Sequence, residues 1–353
     1  MDSIAGKHYV PILRTRDAEI KGFSELSGAV KDFVLPVIEF TKSRRTKKNV
    51  DGAVAVCVDK IEAALAGRAY IADVTSMESL TNPEIEKLLD PSGGFRAWRG
   101  FVLAQLDSLS IPVVHLTDPL DPKSISLQCN AFLNRHRLVA IRVPHNYEEV
   151  ESLAGILREQ LGTLDRVVFI TDGGYVQKAS YHDVQIGCSS SLSVAGHGFA
   201  ARVVASSGFP SSVVLPDYGG DAYGKFGLLE VSLSSVTQSE PGMHDILHGD
   251  YALVHPADFV GVVTNWVPRV DVPLSGELYY HRYRRNAGGY EKAAFMAYND
   301  ADYSALPCWG DHNIASAADG KVLGKSPAHW IAVRVNFHIT RQAVRLGLTD
   351  LGG

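Results

Sequence analysis

Short apolar runs recur along the first 255 residues, most of them separated by a stretch with helical spacing. They read Tyr9–Arg14, Val34–Glu39, Ala69–Asp73, Ile111–His115, Leu138–Arg142, Val167–Asp172, Ala201–Ser206 and Tyr251–His255. Continuous β-rich runs without polar alternation suit strands buried on both faces of a parallel sheet. Between them, Asp17–Lys31 carries Ile20, Phe23, Leu26 and Val30 at intervals of three and four, the spacing of one helix face. Val54–Ala66, Phe95–Leu109, Ser124–Asn134 and Tyr147–Leu161 read likewise, and Asn82-Pro83 opens a helix with a cap followed by proline at its first position. Ser180–Ser193 is ambiguous, because its serines and glycine weaken the helical pattern. Eight strands in alternation with helices predict an α/β chain closed into a (β/α)8 barrel.

After Gly261 the texture changes. Gly276–Arg284 alternates as a half-exposed strand would, Gly288-Gly289 marks a turn and Tyr290–Asp300 reads as a helix. Trp309–Asn313 reads as a loop and Trp330–Phe337 as a strand, whereas Asp217–Phe226 looks irregular. The expected organisation is a barrel over residues 1–262 and a C-terminal α+β extension over 263–353, packed on the barrel.

Composition changes this picture little. The 353 residues are 46% hydrophobic and 21% charged, ordinary for a soluble chain, and 34 Lys+Arg against 39 Asp+Glu give a net charge of −5. That balance argues against general nucleic-acid binding, although the basic loop Lys42–Lys48 falls on the expected active face. Cys57, Cys129, Cys188 and Cys308 are widely spaced and form no Cys-x-x-Cys, as free buried thiols in a reducing cytosol would be. The N-terminus lacks an apolar signal core and no run reaches the roughly 18 apolar residues of a membrane helix, so a cytoplasmic protein without membrane contact is expected.

The strand ends nominate a site. In a (β/α)8 barrel the C-terminal ends of the strands converge, and here they carry Arg14, Glu39, Asp73, His115, Arg142 and Asp172. Arg14 and Arg142 could clamp an anionic or phosphorylated small ligand beside His115. Glu39, Asp73 and Asp172 are the acid/base candidates. The same ring of opposite signs could instead be mutual salt bridges that stabilise the barrel mouth. Asp73 and Asp172 lie three strands apart and face across the mouth, too far to share a metal, and His244 with His248 falls in a glycine-bracketed loop, so no metal site is assigned. Ser206 and Ser207 lead into Gly208-Phe209 after the seventh strand, where barrels often hold phosphate. Asp311 and His338, polar among tryptophans, could complete the site as a lid if the tail folds over the mouth. Neither a Rossmann fingerprint nor a Walker loop occurs, and no cofactor is named by the residues.

Tyr9-Val-Pro-Ile-Leu followed by Leu35-Pro-Val-Ile-Glu39 resembles the start of the beta protein family, which is scattered through phages, mobile elements and bacteria. Gly208-Phe-Pro, Gly249-Asp-Tyr251 with His255-Pro256, Trp309-Gly-Asp311 with Ile314, Trp330 and Asn336–Thr340 extend the resemblance over nearly the whole chain. The sequence departs from the family pattern at Gly276–Arg282, where an Arg-Tyr-Thr-like strand is expected. The resemblance implies a barrel-type fold and a phage or mobile-element setting, with no activity to carry over. Two functions follow as expectations: a ligand-binding, hydrolytic site at the C-terminal rim, or a non-enzymatic interaction scaffold in a phage–host or defence setting that uses the aromatic tail against a protein partner.

Overall fold

The computed structural model describes residues 4–258 and 266–352. The chain begins β1 (Tyr9–Arg14), α1 (Asp17–Ser24), α2 (Gly28–Phe33), β2 (Val37–Phe40), α3 (Ala55–Leu65), β3 (Tyr70–Val74), α4 (Pro83–Leu88), α5 (Ser92–Gln105) and β4 (Ser110–Pro112). It continues α6 (Pro122–Leu133), β5 (Val139–Pro144), α7 (Val150–Leu161), β6 (Val167–Tyr175), α8 (Tyr181–Ala195) and β7 (Ala201–Ser207), then β8 (Tyr223–Gly227), α9 (Leu229–Ser239) and β9 (Leu247–Asp250). The last part holds β10 (Arg269–Pro273), β11 (Glu277–Arg282), α10 (Gly289–Tyr298), α11 (Trp309–Ala318) and α12 (Pro327–Arg345).

Eight parallel strands lie in the order β4-β3-β2-β1-β9-β7-β6-β5. A parallel bridge between Val113 and Ala140, with Val114 N donating to Ala140 O at 2.8 Å, joins the two edges and closes the barrel. Alternate residues of each strand face inward. Val10, Ile12, Val37, Ile71, Val113, Ala140, Ile170 and Val203 form one inner cluster, while Tyr9, Leu13, Ile38, Phe40, Tyr70 and Phe169 pack outward against the helices. Gly249 is an inward position where a Cβ would sit 2.9 Å from Ala205 Cβ and 3.1 Å from Val10 O, so the packed interior admits only glycine there.

The eighth strand is not the expected Tyr251–His255. It is Leu247–Asp250, paired through Tyr9↔His248 and Val203↔Leu247. Ala252 and Leu253 adopt positive φ of 47° and 59°, which turns the apolar run out of the sheet. His248 and Asp250 point outward and are fully buried, so polar letters hid a buried strand.

A second, antiparallel sheet has the order β10-β11-β8. Its β8 comes from the connection after β7, within the stretch read as irregular, and pairs Phe226 with Leu278. The expected boundary at residue 262 lies outside the described residues. Two more readings change. Trp309–Asn313 is helical, the start of α11, whose cap is the Cys308 Sγ accepting from Asp311 N at 3.4 Å. Trp330–Phe337 is helix and not strand, part of the 19-residue α12 that Ser326 caps and Pro327 opens. The helix is buried on opposite sides, with Val335, Ile339 and Ala343 in the layer around the barrel and Trp330, Val333 and Phe337 in the core of the extension. A helix sandwiched this way shows no polar face, and its β-branched residues imitate a strand.

The extension is packed on the barrel through α12, which lies along α1. A Cβ on Gly22 would stand 2.7 Å from Ala332 O, so this glycine sets how closely the two helices approach. Asn336 then bridges three helices: its Nδ2 donates to Gly22 O at 3.0 Å and its Oδ1 accepts from Gly310 N at 2.8 Å.

Candidate functional site

The inward alternation of the strands continues one layer above the apolar interior, and there it reaches Arg14, Glu39, Asp73, His115, Arg142 and Asp172 together with Ser207 and Tyr251. Strand register sets the ring: Arg14 pairs with Glu39 across β1 and β2, and Glu39 with Asp73 across β2 and β3. Arg142 sits at its centre. Its Nη1 donates to Glu39 Oε1 at 2.7 Å and to Asp73 Oδ2 at 2.8 Å. Its Nε and Nη2 donate to Asp172 Oδ2 at 2.9 and 2.6 Å, and Nη2 also reaches the Tyr251 hydroxyl at 2.8 Å. Tyr251 in turn donates to Asp172 Oδ2 at 2.6 Å. The guanidinium thus stands among three carboxylates.

Arg14 lies beside this centre. Its Nε reaches Glu39 Oε2 at 3.3 Å and its Nη1 donates to His255 O at 3.0 Å, while Nη2 is buried without a partner. Glu19, which sequence reasoning missed, accepts from Arg14 N at 2.8 Å; burial raises its carboxyl above the usual range, against the pull of Arg14. His115 Nε2 contacts Asp73 Oδ1 at 3.3 Å. A carboxylate only accepts, so Nε2 is the donor in this contact, and Nδ1 is buried without a partner. The ring stacks on Trp98 at 5.1 Å, and Trp98 is anchored by donating to Val113 O at 2.8 Å. Burial alone would raise the Asp73 carboxyl, but the His115 hydrogen bond and the charge of Arg142 outweigh it and hold Asp73 at about 2. Burial likewise pushes the Tyr251 hydroxyl far up, so it remains a neutral donor.

A cavity of about 830 Å³ opens above this ring, on the side of β3, β4 and β5. Glu39, Asp73, His115, Arg142, Asp172 and Tyr251 contribute to its lining, and Phe95, Asp118 and Tyr147 wall it higher up. The volume falls within the roughly 300–1,000 Å³ of ordinary ligand pockets. Tyr147, Asp118 and Tyr251 were not foreseen as site residues. Tyr251 was hidden by the displaced eighth strand, Tyr147 was read as the start of a helix that begins only at Val150, and Asp118 comes from a loop without periodic signal.

The remaining sequence candidates do not line the cavity. Ser206 alternates to the outer side of β7, buried, with its hydroxyl unpartnered. Ser207 Oγ accepts from Phe209 N at 3.2 Å, closing its own turn. Asp311 accepts from Tyr303 OH at 2.6 Å in the first turn of α11, outside the rim cavity. His338 is fully buried under α12, where its Nε2 meets Asp250 Oδ2 at 2.8 Å. The lid expected of Asp311 and His338 therefore does not form over the mouth, because α12 lies along the barrel's flank beside α1.

That buried patch has its own electrostatics. Asp250 accepts from Tyr9 OH at 2.5 Å and Ala252 N at 2.8 Å and also contacts His248 Nε2 at 3.3 Å. Burial would raise its carboxyl, yet the two histidines hold it far below the usual range. Neighbouring Glu230 accepts from Gly208 N at 2.7 Å, and burial, with the Asp250 charge added, pushes it up to about 7. Folded-state Glu230 therefore binds an extra proton between its ordinary value of 4.5 and about 7, and stability falls as pH rises through that window. Glu230→Gln keeps the acceptor and cannot ionise. It is expected to match the wild type below about pH 4.5 and to exceed it by roughly 3 kcal/mol above about pH 7. Urea unfolding across this range checks the expectation, and a difference independent of pH would contradict it.

These features define a (β/α)8 barrel with an α+β extension and a charged cavity at its C-terminal mouth. The chain belongs to the Beta protein family, whose model matches residues 9–344. It is similar to "Protein beta" of Enterobacteria phage P4, 28% identical over 339 residues, which cover 95% of this chain and 92% of that protein. Among the described residues no helix is long and apolar enough to cross a membrane.

Proposed function

We propose that the barrel mouth binds a small polar ligand, and that this ligand presents hydrogen-bond donors, hydroxyl or ammonium groups, rather than phosphate. The observation that carries the reading is the cavity floor. Arg142 Nε, Nη1 and Nη2 all engage Asp172, Glu39, Asp73 or Tyr251, so the guanidinium that would clamp an anion is already occupied by resident carboxylates. Glu39, Asp73, Asp172 and Asp118 bring four carboxyl groups to the cavity lining against the one guanidinium of Arg142. An anionic ligand would have to displace a carboxylate from Arg142, whereas a donor-rich ligand needs no rearrangement.

A hydrolytic role is the second reading, and the His115–Asp73 pair favours it. A carboxylate that orients an imidazole at a cavity wall is half of a general-base arrangement. Asp73, held at about 2, is too weak a base to take a proton itself, so in this reading it orients and His115 transfers.

The binding reading is tested by thermal unfolding of the full chain with a panel of polyamines, sugars and sugar phosphates. Polyamines or sugars are expected to raise Tm, by an amount set by ligand concentration over Kd. Tyr147→Phe together with Asp118→Asn is expected to reduce that rise without lowering the ligand-free Tm. Stabilisation by sugar phosphates alone would overturn the reading and return the site to an anion.

A further inference from the structure

The loop after β2 carries a set of cations that the rim does not use. Lys42 is half-buried and Arg44, Arg45, Lys47 and Lys48 are exposed, as is Arg16 at the head of α1. Among the described residues none of these forms an ion pair, although the chain as a whole has a net charge of −5 and pairs many of its other surface cations, Lys60 with Asp17 at 2.7 Å for example. Like charges placed side by side on an acidic protein repel one another, and the arrangement is stabilised when an anion binds.

The loop is braced in shape. Thr46 and Asn49 exchange backbone hydrogen bonds at 3.0 and 3.1 Å, and Ser43 N donates to Gly52 O at 3.0 Å. Asn49 ties both limbs together, donating from Nδ2 to Ser43 Oγ at 2.7 Å and accepting from Ala53 N at 2.8 Å. Gly52 has φ +72° and a Cβ there would stand 2.7 Å from Ser43 O, so the turn requires glycine. A cavity of about 560 Å³ lies between this loop and the first turn of α12, lined by Arg16, Lys42, Arg44 and Arg45 on one side and by Pro327 and Ala328 on the other. Asp17 is the carboxylate in its lining, and Lys60 already engages it.

We infer that this groove is a binding site for linked phosphates, as found in a nucleoside polyphosphate or along a nucleic-acid strand. Arginine forks match phosphate oxygens in pairs, and several cations around one groove suit an anion with adjacent charges better than a single carboxylate. Lys47 and Lys48, beyond the cavity, continue the positive surface outward from it. The site is separate from the rim cavity, whose lining contains none of these cations.

The test uses the full chain, a fluorescently labelled oligothymidylate strand and inorganic triphosphate, with binding read by anisotropy and by competition. The wild type is expected to bind the strand at low salt, with log K falling against log salt at a slope of about −3 if about four phosphates are neutralised. R44E/R45E is expected to weaken binding by at least about tenfold and to flatten that slope, with Tm unchanged because both side chains are exposed. Competition by triphosphate supports recognition of phosphates within the groove. Strand binding that resists triphosphate but fails in R44E/R45E assigns the site to an extended backbone, and binding of triphosphate alone assigns it to a small polyphosphate. If neither probe binds at low salt, or if R44E/R45E binds as the wild type does, the inference is overturned.

Discussion

Arg142→Met is expected to cost about 3–5 kcal/mol near neutral pH, because it leaves buried carboxylates without their counter-ion. The side chain touches Glu39, Asp73 and Asp172 at 2.6–2.9 Å, and in the variant Arg14 answers Glu39 alone. Methionine fills much of the volume, so the loss reports charge rather than a cavity. Its pH dependence makes the cause visible. In the wild type Asp73 titrates at about 2 against an ordinary 3.8. A depressed carboxyl contributes stability that is complete above its unfolded value and is lost as pH falls through the folded one, here roughly 2 kcal/mol between about pH 4 and pH 2. In Arg142→Met the crowded carboxylates repel, their affinity for protons rises, and protonation relieves the strain. The deficit should therefore be largest near neutral pH and shrink toward about pH 4.5. Urea midpoints at both pH values give the comparison. An equal deficit at both would assign the loss to packing, and a negligible one near neutrality would mean that water already screens the ring.

The ring's resident cation also bears on what the mouth can do. Three carboxylates converge from three strands, and the Arg142 guanidinium pairs with all of them. Among the described residues no group of three or more His, Cys, Asp or Glu has the geometry to hold a metal. The rim charges thus combine the two sequence-based alternatives. They pair with one another as a stabilising ring would, and they still form the floor of an open cavity.

Much of this was legible because strand alternation is a strict rule. Residues two apart share a face, so the charged letters at the ends of apolar runs had to meet at the mouth if the runs formed a barrel. Arg14, Glu39, Asp73, His115, Arg142 and Asp172 do meet there. The failures share a cause as well. The eighth strand β9 and the helix α12 are buried on both sides, and burial on both sides erases the polar periodicity by which elements are read. Leu247-His-Gly-Asp250 looks like a loop because His248 and Asp250 satisfy each other inside the protein. Trp330–Phe337 looks like a strand because each side of its helix meets a different core. The pairing of β8 with β11 joins segments 50 or so residues apart, as Phe226↔Leu278 shows, and no local pattern encodes such a partner.

The buried Asp250 network supplies the last expectation, since it ties α12 to the barrel. Tyr9 from β1, His248 from β9 and His338 from α12 all converge on one carboxylate, at 2.5, 3.3 and 2.8 Å. Asp250→Ala removes the common acceptor and leaves the Tyr9 hydroxyl, both imidazole N–H groups and Ala252 N unpaired away from water. Each such donor costs about 1–3 kcal/mol alone, but they share one site and the variant can relax, so a total of about 3–5 kcal/mol is expected. Sharing has a second consequence. His338→Ala made on top of Asp250→Ala should add far less than His338→Ala made in the wild type, because the partner it would lose is already gone. Urea unfolding of the wild type, the two single variants and the double variant measures this. The wild type is expected to unfold in one transition, with the extension and barrel lost together, since α12 contributes to the cores of both. Additive losses from the two substitutions would show that His338 and Asp250 act separately. A distinct early transition for the extension would show that Asp250 stabilises β9 within the barrel without holding α12 to it.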